Sequence, residues 1–338
     1  MLYEVGDPGG YVLPDVTCDF RNVAIRRVDE EHVEVRGAVG GPPPPDYKCS
    51  VTYLDGWRLT ATLTIIGRDA AEKATRTGEA LVARSARMLR ERNLPPLRRH
   101  QVDVVGAETS YGASARTGTT REAVMRVVAE ADDRRSLELM AREVAQAGTS
   151  WSTGTTNALA PGRPKPAPVI RLQSCRIAQA EVKPRITLDG AEVDYAPPEA
   201  PAAPARPAPS GKPDAAPPLT DLGPERRVPL IDIAYARSGD KGDIANVGVI
   251  ARSPELLPIL RREVTAERVA AHFAHFVAGP VRRYDVPGIN AFNFVMERAL
   301  DGGGMASMRL DPLAKSFAQI LLDLEVSVPE RLLPQPAP

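Results

Sequence analysis

The sequence predicts two mixed units joined by a tether: an α/β unit at the front and an α+β sandwich at the back. Three observations carry that expectation. Between residues 47 and 93 the apolar period changes from strand-like to helix-like. Residues 196–227 contain PPEAPAAPARPAPSGKPDAAPP and little that could build a core. From residue 228 onward, strand-like and helix-like runs interleave, as in a layer of helices on one side of a sheet. A chain of 338 residues with 43% apolar and 25% charged side chains can hold two cores. The expected division is therefore residues 1–195, a semi-stiff proline-alanine spacer over 196–227, and residues 228–338. The spacer could also be read as a proline-rich ligand, but alanine fills the gaps where anchoring side chains would sit.

In the first unit, residues 47–66 (YKCSVTYLDGWRLTATLTII) place β-rich runs on both sides of Asp55-Gly56, a pair suited to a tight hairpin. Residues 69–93 carry Ala70, Ala74, Leu81, Ala86, Met88 and Leu89 at helical spacing and stop at Asn93-Leu94-Pro95-Pro96. Residues 101–106 read as a short strand. Residues 132–147 read as a helix capped by Asp132 or Asp133 and stopped by Gly148. A Gly/Ser/Thr-rich loop leads to a strand over 169–175. In the second unit, strands are expected at 229–237, 247–251, 282–286 and 291–295, and helices at 254–263 and 265–276. An amphipathic helix is expected over 311–324, its apolar face formed by Leu313, Phe317, Ile320, Leu321 and Leu324.

Forty-three basic and 43 acidic side chains cancel, which disfavours a nucleic-acid partner. No apolar run approaches the ~18 residues that cross a bilayer, so no membrane association is expected. The opening residues resemble no secretory signal, and Cys18, Cys49 and Cys175 form no CxxC pair. Reduced thiols in the cytoplasm are the simplest reading.

The most informative segment is Arg237-Ser238-Gly239-Asp240-Lys241-Gly242-Asp243-Ile244-Ala245-Asn246. Two glycines free the backbone to turn and present N–H groups, and Arg237 and Lys241 add positive charge. Such a loop can cradle an anion. It can equally hold a divalent cation through Asp240, Asp243 and Asn246, or be a turn whose charges cap one another. It is not a Walker A loop. Gly302-Gly303-Gly304 implies close approach by a ligand or a flexible hairpin. Asn290 and Asn293 flank Phe292 and suit either a pocket wall or, more simply, a sheet edge.

Asp7, Asp15 and Asp19 could assemble a metal or acid/base site, though turn-forming aspartates explain them as well. Cys18 sits beside Asp19, which disfavours a thiolate nucleophile. Glu108 follows a strand's C-terminal end, where open α/β sheets place ligands, and is the acid/base candidate of the first unit. His272 and His275 share a helix face with Phe273 and Phe276, so a packed surface is favoured over a metal site. HExxH, GxSxG and GxGxxG are all absent. No cofactor or metal is assigned.

Several stretches resemble one family. YEVGDPGGYVLPDVTCDF, YKCSVTYLDGWRLTATLTIIGRDAAEKA and APGRPKPAPVIRL are similar to the later half of the N-terminal region of acyclic terpene utilisation (AtuA-type) proteins. IDIAYARSGDKGDIANVGVIAR, FNFVMERALDGGGMASMRLD and AKSFAQILLDLEV are similar to that family's C-terminal domain. The resemblance implies a ferredoxin-like fold for residues 228–338 and a role in breaking down acyclic terpenoids through branched acyl-CoA intermediates. It carries over the motif positions Arg237, Ser238, Gly239, Asp240, Lys241, Gly242, Asp243 and Asn246, and Gly302, Gly303 and Gly304. It also implies that a glycine-rich segment precedes the point matching Met1, so that residues 1–195 are a truncated domain of low stability alone. Two functions are weighed. One is an enzyme using Asp240, Asp243 or Glu108 on an acyl-CoA or carboxylate substrate. The other is a non-catalytic module that pairs with itself or with a partner subunit.

Overall fold

The structure is a computed structural model that describes residues 4–157, 162–195 and 223–333. The described chain forms two compact units. One is drawn from Thr52–Leu172 and Met305–Pro312; the other from Met1–Val51, Gln173–Gly304 and Leu313–Pro338. The units thus interleave along the chain, whereas the sequence divides it at the proline-rich stretch. Most of that stretch, residues 196–222, lies outside the described residues.

The Thr52–Leu172 unit is built on the inner part of a long strand, β1 (Asp46–Ile66), on α1 (Ala70–Glu91), β2 (Arg99–Val105), β3 (Glu122–Ala131) and α2 (Arg134–Ser150), and on the inner part of a second long strand, β4 (Ala167–Ala178). The outer ends of those two strands, residues 46–51 and 173–178, belong to the other unit. The sheet order is β4-β1-β3-β2, with Thr155–Thr156 also paired to β1. β3 runs antiparallel to both neighbours. One face presents Leu59, Leu63, Ile65, Met125 and Val127 to Ala74 and Leu81 of α1 and to Leu137, Met140 and Val144 of α2. Burial of each large side chain in that layer contributes roughly 1.5–3 kcal/mol.

Two expectations are corrected here, and one strand appears that was not expected. The hairpin expected at Asp55-Gly56 is one continuous strand. Gly56 takes φ +80°, and a Cβ there would lie 2.8 Å from the Ala131 carbonyl oxygen, so glycine lets the strand pass this point without reversing. α2 does start at an Asp133 cap, which accepts the Arg135 N–H at 2.8 Å, but it runs through Gly148 to Ser150. The bare Gly148 faces Leu63 of the sheet. β3 itself has no counterpart among the expected elements, because VMRVVAEA alternates too weakly to announce a strand.

The second unit contains β5 (Glu225–Pro229), β6 (Ala234–Lys241), β7 (Ile244–Ala251), α3 (Leu257–Glu263), α4 (Ala266–His272), β8 (Val281–Val286), β9 (Ala291–Met296), α5 (Phe317–Leu322) and β10 (Glu325–Pro329). Its main sheet has the order β6-β7-β9-β8, antiparallel throughout. β9 sits between β7 and β8, which are joined by two helices. That is the split βαβ arrangement of a ferredoxin-like sheet, with β6 in the outer position beside β7. The fold is mixed α/β and α+β, as the sequence predicts. β5 pairs with β10, so the last residues of the expected spacer, Glu225 to Arg227, belong to a strand. The strand expected over 229–237 is broken by a 3-10 turn at Leu230–Asp232.

Phe292 and Phe294 of β9 pack on the helix side with Phe273 and Phe317, all four fully buried. Phe317 stacks on Phe273 at 5.0 Å and on Phe276 at 5.5 Å. Thr265 caps α4 by accepting the Arg268 N–H. The helix expected over 311–324 shrinks to the six residues of α5, and Leu313, expected on its apolar face, is 40% exposed. Short strands precede this sheet in sequence: Tyr11–Val12, Thr17–Asp19 and Val39–Gly41 form one small sheet, and Ala24–Arg27 pairs with Val33–Arg36. No helix among the described residues is long and apolar enough to cross a membrane.

Candidate functional site

The charged segment 237–246 is a hairpin and not the open loop its composition suggests. β6 and β7 pair without interruption from Ala234↔Ala251 to Lys241↔Ile244, which leaves Gly242 and Asp243 as a two-residue turn. Gly242 takes φ +62°, as the first residue of such a turn can. The ladder therefore uses part of the main chain that the sequence assigns to an anion. Strand alternation puts Arg237, Gly239 and Lys241 on one face and Ser238 and Asp240 on the other.

Each polar residue of the motif has a definite position. Ser238 is buried on the helix side, where its hydroxyl accepts the Ala318 N–H at 2.8 Å and so starts α5 from a neighbouring strand. The Asp243 carboxylate accepts the N–H groups of Leu300 at 3.0 Å and Gly302 at 2.9 Å, and its carbonyl accepts Ala299 N–H at 2.9 Å. The two glycine motifs are thereby brought together. Gly303, at φ +92°, lies so close that a Cβ would sit 3.0 Å from the Gly242 carbonyl carbon and oxygen. Arg298, Asp301 and Gly302 also take positive φ, so this loop is held in a conformation that side chains resist. Gly304 ends the run.

Asn246 and Asn293 share the face opposite the helices. Asn246 Nδ2 donates to Asn293 Oδ1 at 2.9 Å, and Asn293 Nδ2 donates to the carbonyls of Val5 and Gly6 at 2.7 and 2.6 Å. The expectation of a sheet edge here is corrected: β9 is an inner strand and Asn293 is fully buried. Asn290 makes a turn at φ +52°. The N-terminal glycine-rich stretch is thus the third such segment at this site. Asp7 caps its own turn by accepting Gly9 N–H at 2.8 Å, and Asp19 pairs with Arg21.

Beside the hairpin end, two ammonium groups hold one carboxylate. Lys241 Nζ lies 3.4 Å from Glu4 Oε2, and Lys315 Nζ lies 3.3 Å from Glu4 Oε1 and 3.3 Å from Asp240 Oδ1. Sequence reasoning missed Glu4 and Lys315, because nothing local marks residues 237 and 311 positions away as partners. Among the described residues no group of three His, Cys, Asp or Glu side chains is placed to hold a metal. His272 Nε2 meets the Ile320 carbonyl at 2.9 Å.

Glu108 belongs to the other unit. It takes φ +54° ahead of the 3-10 turn Thr109–Ser114, and its carboxylate accepts Arg116 N–H at 2.5 Å. β2, which precedes it, is paired antiparallel, so the parallel-sheet geometry that singled Glu108 out is not formed there.

That unit holds a different charge centre, unseen in the sequence. Glu130 is fully buried on the sheet face away from the helices, 2.5 Å from Arg58 and 2.6 Å from Arg99. Burial pushes its carboxyl up, but hydrogen bonds from Arg99 and Arg58 outweigh that and leave it below its ordinary value. The same two guanidiniums donate to the carbonyl of Ala306, and Arg58 also to that of Ser307 at 2.8 Å. Hydrogen bonds from Arg98 and Arg171 hold Asp55 down at about 2.

Two family models match the chain. Residues 1–188 match the acyclic terpene utilisation family protein AtuA, and residues 228–327 match the AtuA ferredoxin-like domain. The chain belongs to the AtuA family. Nothing among curated proteins or solved structures matches it. In this AtuA-family chain, the Ser238–Asn246 hairpin, Asn293 and the Gly302–Gly304 loop all fall within the ferredoxin-like match.

Proposed function

We propose that this AtuA-family chain acts in the catabolism of acyclic terpenoid or branched acyl-CoA intermediates, and that the end of its 237–246 hairpin binds their anionic group. The observation that supports this is the grip of Lys241 and Lys315 on the two oxygens of one carboxylate. Two ammonium groups flanking a carboxylate would flank a ligand's carboxylate or phosphate equally well. Glu4 then competes with the ligand, Arg237 adds charge on the Lys241 face, and Asp240, 3.3 Å from Lys315, is the acid/base group nearest the bound anion. Asp243, Gly242 and the Gly302–Gly304 loop supply the frame. Glu108 has no part in this grip.

Calorimetric titration of the full chain with an acyl-CoA and with inorganic phosphate tests the reading. Lys241→Ala and Lys315→Ala should each weaken binding by roughly 1–3 kcal/mol, the worth of a charged hydrogen bond. Glu4→Gln should tighten it. If neither the natural chain nor Glu4→Gln binds any of these anions, the reading fails.

A second reading, a non-catalytic assembly module, is favoured by one feature. In the hairpin of Ala24–Arg27 and Val33–Arg36, Ile25, Val33 and Val35 share a face and are 48–64% exposed. A two-stranded hairpin with a bare apolar face is marginal in water. A homo-oligomer or a partner subunit would cover it. Light scattering on the full chain and on an Ile25→Lys/Val35→Lys variant separates the cases: a monomer in both removes the self-assembled form.

A further inference from the structure

Cys49 lies on β1 and Cys175 on β4, strands that are neighbours in the five-stranded sheet. Three contacts give their register. Gln179 N–H donates to the Pro45 carbonyl at 3.0 Å, Arg176 pairs with Asp46, and Arg171 pairs with Asp55. Numbers rise along one strand as they fall along the other, so the pair is antiparallel. Four steps inward from the Pro45–Gln179 link place Cys49 opposite Cys175, and the two ion pairs fall on diagonals of the same register. Opposed residues of an antiparallel pair have Cα atoms about 4.5–5.5 Å apart. A disulfide spans about 4.4–6.8 Å. Desolvation, together with the neighbouring Cys49 thiol, pushes the Cys175 thiol up. Cys175 is exposed and Cys49 half-buried, while Cys18 sits on a different small sheet.

We propose that Cys49 and Cys175 are an oxidation site that closes to an intrachain disulfide on reaction with a small-molecule disulfide such as oxidised glutathione. The Cys175 thiolate, the exposed one, attacks a glutathione sulfur. The Cys175–glutathione bond forms, the glutathione S–S bond breaks, and one glutathione leaves as thiolate. The Cys49 thiolate then attacks the Cys175 sulfur and expels the second glutathione. The protein dithiol loses two protons and two electrons, and one oxidised glutathione becomes two reduced ones. The bond encloses the whole run Thr52–Leu172, so it clips together the two points where the chain enters and leaves that compact unit. A loop of that length loses much of its unfolded-state freedom when closed.

The test incubates the full chain with oxidised glutathione, blocks remaining thiols with an alkylating agent, and maps peptides without reduction. The expected result is a Cys49–Cys175 crosslinked peptide, Cys18 alkylated, and a melting temperature higher by roughly 5–10 °C that returns on reduction. Cys49→Ser should give only a glutathione adduct at Cys175 and no rise. Three alkylated thiols, a bond to Cys18, or a Cys175–Cys175 link between chains would each overturn the proposal.

Discussion

The Asp243 carboxylate accepts the Gly302 N–H at 2.9 Å, joining the hairpin turn of one glycine motif to the loop of another across 59 residues of sequence. The same oxygen accepts Leu300 N–H at 3.0 Å, so one side chain fixes two donors of a loop rich in positive φ. Asp243→Ala should cost roughly 1–3 kcal/mol by leaving those donors short of a partner. Gly303→Ala should cost about 2 kcal/mol, because φ +92° and the nearby Gly242 carbonyl both oppose a Cβ. Urea denaturation of the two variants measures both. Natural-like midpoints in both would mean that the loop is not held through this junction.

A smaller effect is expected at Ser238. Its hydroxyl is the cap of a six-residue helix that carries Phe317 into the aromatic cluster. Ser238→Ala should lower stability by about 1 kcal/mol, as loss of a helix cap does. Ser238→Thr keeps the acceptor and should recover part of it. The midpoints of thermal melts decide between capping and a purely steric role, since Thr would then be worse than Ala.

Which parts of this were legible in the sequence follows from distance along the chain. β7, β8, β9 and α1 announce themselves through local period and end signals, and the ferredoxin-like unit follows from motif resemblance. What failed needed partners far away. Asp55-Gly56 is a good turn pair locally, yet β3 pairs with Trp57 through Ile66 and keeps β1 running straight on. The 311–324 pattern is amphipathic on paper, but Ala314 takes φ +53° and the helix begins only where Ser238 supplies its cap. At the site, the glycines and charges of 237–246 were visible, while Glu4, Lys315 and Asn293 acquire meaning only once the fold brings them beside the hairpin.

The buried carboxylate centre should make stability fall with acid. Asp55 is held at about 2 by hydrogen bonds from Arg98 and Arg171, against an ordinary 3.8. Glu130 is also held below its ordinary 4.5, despite burial, by Arg99 and Arg58. As pH falls below those ordinary values, the unfolded chain takes up protons that the folded chain refuses. The stabilisation is therefore complete above about pH 5 and is lost on the way down toward pH 2. Urea midpoints measured from pH 6 to pH 3 should decline, and Asp55→Asn should decline less steeply. Glu130→Ala should cost roughly 3–5 kcal/mol at neutral pH, since it leaves Arg58 and Arg99 without their buried counter-charge. An unchanged midpoint for that variant would mean that water enters this face of the sheet.

Asn293 makes the sharpest distinction between packing and polarity in the ferredoxin-like unit. It donates to two carbonyls, Val5 and Gly6, and accepts from Asn246, all from a fully buried position. Asn293→Ala removes the donors and should cost roughly 1–3 kcal/mol. Asn293→Asp keeps the shape and the bond from Asn246, but aims a carboxylate oxygen at the Val5 and Gly6 carbonyls. If polarity decides, Asp is the worse of the two, because a buried charge facing two acceptors costs more than an empty site. Cleavage near residues 5–10 should then appear first in the Asp variant under limited proteolysis. If Asp is better tolerated than Ala, volume is what Asn293 contributes, and the N-terminal segment is held by something other than those two hydrogen bonds.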